Sequence, residues 1–153
     1  MEFCWYNLIN LDLRSSIMQS LFHFAFNVTD LSKAREFYGE LLQCKEGRCT
    51  DSWIDFDFYG HQISLHLGIP FKSEKTGKVG EHLVPIPHFG LILPPVDWQN
   101  LAKRLEDANI KFEISPSTRF KGAPGEQQTL FFRDFCGNPI EMKSFKDFRQ
   151  VYK

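Results

Sequence analysis

The stretches Phe22-His23-Phe24-Ala25-Phe26-Asn27-Val28 and Pro87-His88-Phe89-Gly90-Leu91-Ile92-Leu93 decide how the rest of the chain is read. In the first, Phe22, Phe24, Phe26 and Val28 fall on one face and His23, Ala25 and Asn27 on the other. In the second, Phe89, Leu91 and Leu93 oppose His88, Gly90 and Ile92. A period of two predicts a strand with one apolar face. The same order of signals follows each stretch. Asp30 caps a helix with the stripe Leu31, Ala34, Phe37 and Leu41, and Asp97 caps one carrying Trp98, Leu101, Ala102, Leu105 and Ala108. A short strand around 44–50, Trp53 to Tyr59, the turn Gly60-His61, and Gln62 to Leu67 complete the first copy. Lys111 to Ile114, a Pro/Gly-rich loop from Ser115 to Gln128, and the strands Thr129 to Phe135 and Pro139 to Phe145 about the turn Cys136-Gly137-Asn138 complete the second. Each copy reads βαβββ, an internal repeat of two.

The fold class is therefore α+β: two βαβββ modules pairing into a cupped, partly open mixed β-sheet with helices outside. Module 1 spans about 21–68, a linker that could form a mobile lid about 69–86, module 2 about 87–145, and a C-terminal tail 146–153. Residues 1–20 form an N-terminal extension with no assigned role. A length of 153 residues suits one domain over 21–153. Hydrophobic residues at 42% and charged residues at 24% exclude disorder, and 16 phenylalanines, most on alternating positions, supply the core. Eighteen Lys and Arg against 19 Asp and Glu leave a net charge of -1, which offers no attraction to nucleic acid or an anionic membrane. Cys4, Cys44, Cys49 and Cys136 have neither zinc-ligand nor disulfide spacing and read as free thiols. No apolar run reaches the roughly 18 residues of a bilayer span and the N-terminus lacks a signal pattern, so a cytoplasmic location is expected.

The Phe-rich faces should bury against the helices, so the faces carrying His23, His88 and Ser64 should enclose a cleft. His23 and His88 occupy the same slot of the repeat, and Glu141 follows the turn Gly137-Asn138-Pro139-Ile140. Two imidazoles and one carboxylate are the facial triad for a divalent metal such as Fe(II), with positions left open for substrate. A single strand histidine is ordinarily a hydrogen-bonded structural residue; the repetition, with small Ala25 and Gly90 two residues on leaving room beside each ring, favours ligation. Ser64 stands where Glu141 stands in the second copy, so a symmetric four-ligand site is broken. His66, on the face of Ser64, and His61, in the turn, are candidate acid/base groups. Trp53, Tyr59 and Phe131 are candidates to line the substrate and stack on a flat ring.

These openings, together with Val28-Thr29-Asp30-Leu31 to Phe37-Tyr38 and Phe132-Arg133-Asp134-Phe135-Cys136-Gly137-Asn138-Pro139-Ile140-Glu141, resemble the vicinal oxygen chelate superfamily. It includes glyoxalase I, bleomycin-resistance and fosfomycin-resistance proteins, methylmalonyl-CoA epimerase and type I extradiol dioxygenases. The resemblance spans about 21–145 and is greatest to a small extradiol-type member, which the loop Arg119 to Gln127 also resembles. It implies His23, His88 and Glu141 as metal ligands, Fe(II) first and Mn, Ni, Co or Zn otherwise, a catechol-like or other oxygen-chelating substrate, O2 as co-substrate, and a homodimer. A glyoxalase-like lyase, isomerase or transferase is the alternative activity, and a non-catalytic binding or resistance module the third. Ser64 departs from the carboxylate of glyoxalase I, and Phe131 from the tyrosine that extradiol enzymes place before the last ligand.

Overall fold

The computed structural model describes residues 20–79 and 82–152. All but the last residue of the N-terminal extension, Cys4 included, lies outside them. Module 1 contains β1 (His23–Val28), α1 (Leu31–Ala34) continued by a π-helical segment Arg35–Leu41, β2 (Lys45–Cys49), β3 (Trp53–Phe58) and β4 (His61–Leu67). After the hairpin β5 (Glu74–Val79) and β6 (His82–Ile86), module 2 repeats the pattern with β7 (Phe89–Leu93), α2 (Pro95–Asp107), β8 (Phe112–Arg119), β9 (Gln127–Arg133) and β10 (Pro139–Ser144). The two four-stranded sheets have the same order, β1-β4-β3-β2 and β7-β10-β9-β8, and in each the first strand runs parallel to the last. The chain is α+β, two modules with open sheets.

Alternation divides each strand between two environments. Phe26, Val28, Ile63, Leu65, Leu130, Phe132, Ile140 and Met142 enter one core cluster together with Phe37, Tyr38, Trp98, Leu101 and Leu105 from the helices. The core joins the modules: the Phe89 ring centroid lies 5.2 Å from that of Phe24 and 4.9 Å from that of Phe26, and Phe37 lies 6.2 Å from Phe132. Fusing these aromatic faces removes far more apolar area from water than two separate small cores would. A second tie is polar. The buried Asp134 carboxylate accepts from the Tyr38 hydroxyl at 2.8 Å, the Cys136 and Asn138 amides at 2.8 and 2.9 Å, and Asn138 Nδ2 at 2.8 Å. Asn138 Nδ2 also reaches the Asn27 carbonyl at 3.2 Å.

The structure corrects several local expectations. The first helix closes its last turn with an i to i+5 hydrogen bond, Leu42 N–H to the Phe37 carbonyl at 2.9 Å, which rotates Leu42 into the core where the helical stripe pointed to Leu41. Helix α2 starts at Pro95 and is capped by Pro94, with Asp97 inside its first turn; proline suits that first position because its missing N–H has no partner to lose. Strand β8 runs on to Arg119 through register shifts, leaving a shorter loop than the sequence suggested. It tolerates Pro116 because it is an edge strand. The segment between the modules folds into the hairpin β5–β6, fastened by ion pairs from Lys75 and Arg133 to Glu113, both 2.7 Å, and by Arg133 Nη1 to the Ser73 hydroxyl. Among the described residues no helix is long and apolar enough to cross a membrane.

Candidate metal-binding site

On the side of the second sheet away from the core, the parallel pairing of β7 with β10 sets Gly90 opposite Glu141. A Cβ at Gly90 would lie 1.6 Å from the Glu141 carbonyl oxygen, so only glycine permits this approach of the two backbones. The sequence suggested that Gly90 leaves space beside the imidazole; its role is to bring His88 and Glu141 together. His88 Nε2 stands 3.3 Å from Glu141 Oε2. His88 Nδ1 donates to the Pro85 carbonyl at 2.7 Å, which fixes the ring and aims Nε2 at the carboxylate. Glu141 is almost fully buried; its Oε1 accepts from the Thr129 hydroxyl at 2.9 Å and its Oε2 pairs with Lys143 Nζ at 3.2 Å. Burial pushes the Glu141 carboxyl up, but donors from His88, Lys143 and Thr129 outweigh it and hold it below the ordinary range. The hydrogen bond to Glu141 raises His88 above its ordinary value against the effect of burial. Phe131 lies opposite Glu141 on β9, fully buried, with its ring edge-on to His88 at 5.0 Å. His88, Glu141, Lys143, Phe22, Phe24 and Ile92 line a cavity of about 370 Å³.

The first sheet presents a second arrangement on its own face away from the core. His23 Nδ1 lies 2.8 Å from Gln62 Oε1, and Gln62 Nε2 donates to Asp55 Oδ2 at 3.0 Å. Because the Gln62 amide nitrogen is committed to a carboxylate, its oxygen faces the imidazole, so His23 Nδ1 donates to it. The buried Asp55 is held in turn by the Ser64 hydroxyl and by Arg48 at 3.2 Å. His23, Asp55, Arg48 and His61 line a cavity of about 480 Å³. His61 Nδ1 accepts the Phe22 amide at 3.2 Å.

The structure thus brings His88 and Glu141 together and places His23 elsewhere. Among the described residues no group of three or more His, Cys, Asp or Glu side chains is arranged to hold a metal ion. The sequence expectation that the two polar faces meet around one cleft is not met within the chain: Phe24, Phe26, Phe58 and Phe89 bind the modules through the opposite faces. Of the remaining candidates, His66 shares the Ser64 face but lies beside Trp53, ring centroids 6.2 Å apart, at the other end of β4 from Gln62. Tyr59 sits in the β3–β4 turn at φ 53° and donates to the Leu42 carbonyl at 3.0 Å. Asp55, Gln62, Thr129 and Lys143 were given no role from the sequence. The signal was present: the two-residue turn Tyr59-Gly60 fixes a register that pairs Asp55 with Ser64, and the β9–β10 turn pairs Thr129 with Lys143.

Residues 20–142 match the Glyoxalase/Bleomycin resistance protein/Dioxygenase superfamily. The chain belongs to this superfamily. Among solved structures, the glyoxalase/bleomycin resistance protein/dioxygenase from Alicyclobacillus acidocaldarius is 31% identical, with 87% of this chain and 96% of that chain covered and a TM-score of 0.70. A glyoxalase/dioxygenase from Nostoc punctiforme (18% identity, 92% and 100% covered, TM-score 0.62) shares the fold. So does the genomically encoded fosfomycin resistance protein FosX from Listeria monocytogenes (14%, 88% and 98%, TM-score 0.63). No curated protein matches. Members of this superfamily commonly bind divalent metals, and imidazole and carboxylate are donor types that suit such an ion, although within the described residues His23, His88 and Glu141 are not gathered around one point. Two imidazoles have Nδ1 tied to an oxygen acceptor, and the Glu141 carboxylate is held in place by Thr129.

Proposed function

We propose that this chain is a divalent-metal-dependent enzyme acting on a small molecule that presents two adjacent oxygens, with His88 and Glu141 of one copy and His23 of a second copy as the ligands. The observation that carries the reading is the shared preparation of the two imidazoles. His23 and His88 each commit Nδ1 to an oxygen acceptor, Gln62 Oε1 and the Pro85 carbonyl, which leaves Nε2 as the ligating nitrogen of each ring. A symmetric dimer setting the His23 face of one copy against the Glu141 face of the other would assemble two equivalent sites.

Bound there, a divalent ion supplies Lewis acidity to the substrate oxygens and, if it is Fe(II), electron exchange with dioxygen. Around it Thr129 fixes the carboxylate, Phe131 holds the His88 ring and keeps water from its buried side, and Phe22 and Phe24 form an apolar wall. The two-histidine, one-carboxylate set favours Fe(II) and an extradiol-type dioxygenase of a catechol-like substrate. A lyase, isomerase or transferase using Mn, Ni, Co or Zn is the second reading. It is supported by Phe131, which puts a hydrocarbon ring where ring cleavage would be served by a hydroxyl.

The test begins with anaerobic purification and metal titration, then oxygen uptake with catechols in the presence of Fe(II). Uptake with a yellow ring-opened product supports the dioxygenase; metal binding without uptake supports the second reading. Mixing His23→Ala with His88→Ala chains separates a shared site from two independent ones. Each mixed dimer retains one intact site of its two, so activity should return to about a quarter of the wild-type value after random reassortment. No recovery, with both variants folded, rejects the two-copy ligand set, and unchanged ligand binding by each variant alone would support a binding module.

A further inference from the structure

We infer that the helix side of the second sheet, at the end where α2 begins, is a binding site for an oxyanion, a phosphate or carboxylate group held between Ser144, Lys121 and the first turn of α2. The site lies on the opposite side of the sheet from Glu141 and does not depend on the metal reading. Strands β7, β10, β9 and β8 align their core-facing residues in rows across the sheet. Phe89, Ile140, Phe132 and Phe112 form one row and Leu91, Met142 and Leu130 the next, all apolar. The third row is Leu93, Ser144, Gln128 and Thr118. The apolar pattern therefore breaks where the chain leaves β7 to enter α2 at Pro95.

Ser144 is 1% exposed, and among the described residues its hydroxyl has no hydrogen-bond partner. A buried hydroxyl left unpaired is destabilising, a penalty that alanine would avoid and that a polar group entering beside it removes. Ser144 forms part of the wall of a cavity of about 380 Å³, together with Pro95 and Gln99 of α2, Lys121 and Glu126 of the β8–β9 loop, and Lys146. Pro94 and Pro95 open that helix, and among the described residues no side chain caps it. The Trp98 N–H closes on the Pro94 carbonyl, so the N–H groups of Val96 and Asp97 carry the positive end of α2 with no partner inside the helix. Glu126 is already engaged: it accepts from the Gly122 amide at 2.7 Å and pairs with Lys146 at 3.4 Å, which hold it ionised below its ordinary range. Lys121 and Lys146 against Glu126 leave one positive charge in excess, and the exposed Asp97 side chain is not part of the wall. An oxyanion placed there accepts from Ser144, pairs with Lys121 and faces the helix end. The volume leaves room for a small organic group carrying the anion.

The experiment titrates the full chain, with no metal added, with inorganic phosphate and with acetate in separate arms against chloride at constant ionic strength, read by calorimetry and by backbone amide resonances. One of the two oxyanions should bind where chloride does not and should shift the Val96 and Asp97 amides; tighter phosphate assigns the site to phosphate esters, tighter acetate to carboxylates. Ser144→Ala should keep or raise the Tm of the unliganded chain, since it removes an unpaired hydroxyl, yet lose oxyanion affinity by about tenfold. Lys121→Gln should lose a similar factor, and Lys33→Gln, on α1 in the other module, should lose nothing. Failure of both oxyanions to bind, affinity unmoved in Ser144→Ala, an equal loss in Lys33→Gln, or Val96 and Asp97 amides that stay fixed at saturation would overturn the inference and leave the metal reading untouched.

Discussion

Glycine 90 has the sharpest requirement of any residue at the site. Gly90→Ala would drive a methyl group into the Glu141 carbonyl and force β7 and β10 apart, at a cost of about 3 kcal/mol or more, visible as a lowered Tm. Gln62→Leu removes one of three donors from the buried Asp55 and should lower Tm modestly, and it frees the His23 ring to change tautomer. Metal affinity should then fall by about tenfold, measured by calorimetry. The His88–Glu141 pair has its own pH signature. His88 is raised from 6.5, so its contribution to stability is complete below that value and is lost as pH rises through the raised one; Glu141 is lowered from 4.5, so its contribution is complete above 4.5 and is lost as pH falls through the lowered one. Between about 4.5 and 6.5 both contribute fully, and Glu141→Gln should flatten both limbs of the Tm profile. The nearness of His88 to Glu141 was legible from the repeat and the last turn, whereas the separate placing of His23 beside Gln62 was not. Gly90 was seen in the sequence but misread, because a close approach between strands far apart in the chain leaves no local pattern.

Among the elements, the β9–β10 turn carries the greatest polar load. Burial, then the neighbouring Asp134 carboxylate, keeps the Tyr38 hydroxyl protonated far above its ordinary range. Tyr38→Phe removes one donor from a buried carboxylate that still holds three others. A loss of about 1–3 kcal/mol is expected from chemical denaturation, with the secondary structure unchanged by circular dichroism. Strands read well from the sequence because a period of two is local. The π-helical turn and the length of β8 did not, since each is decided by what the segment meets, Leu42 by the core and Pro116 by the free edge beside it; the start of α2 at Pro95 was a local signal passed over in favour of Asp97.

At the scale of the molecule the two modules are one folding unit. Module 1 expressed as residues 20–68 would expose Phe24, Phe26 and Phe58, which now meet Phe89, and should show no cooperative thermal transition. The repeat and the α+β class were legible from composition and alternation alone. Which faces would meet was not, because either face of a strand pair can be buried and the choice depends on matching aromatic surfaces from both halves. That choice has a further result. Glu141 and Phe131 stand outside the cluster of side chains that holds the modules together. The contacts that unite the two halves and the polar groups of the outer faces are therefore supplied by separate residues, so a donor can be exchanged without touching the aromatic seam.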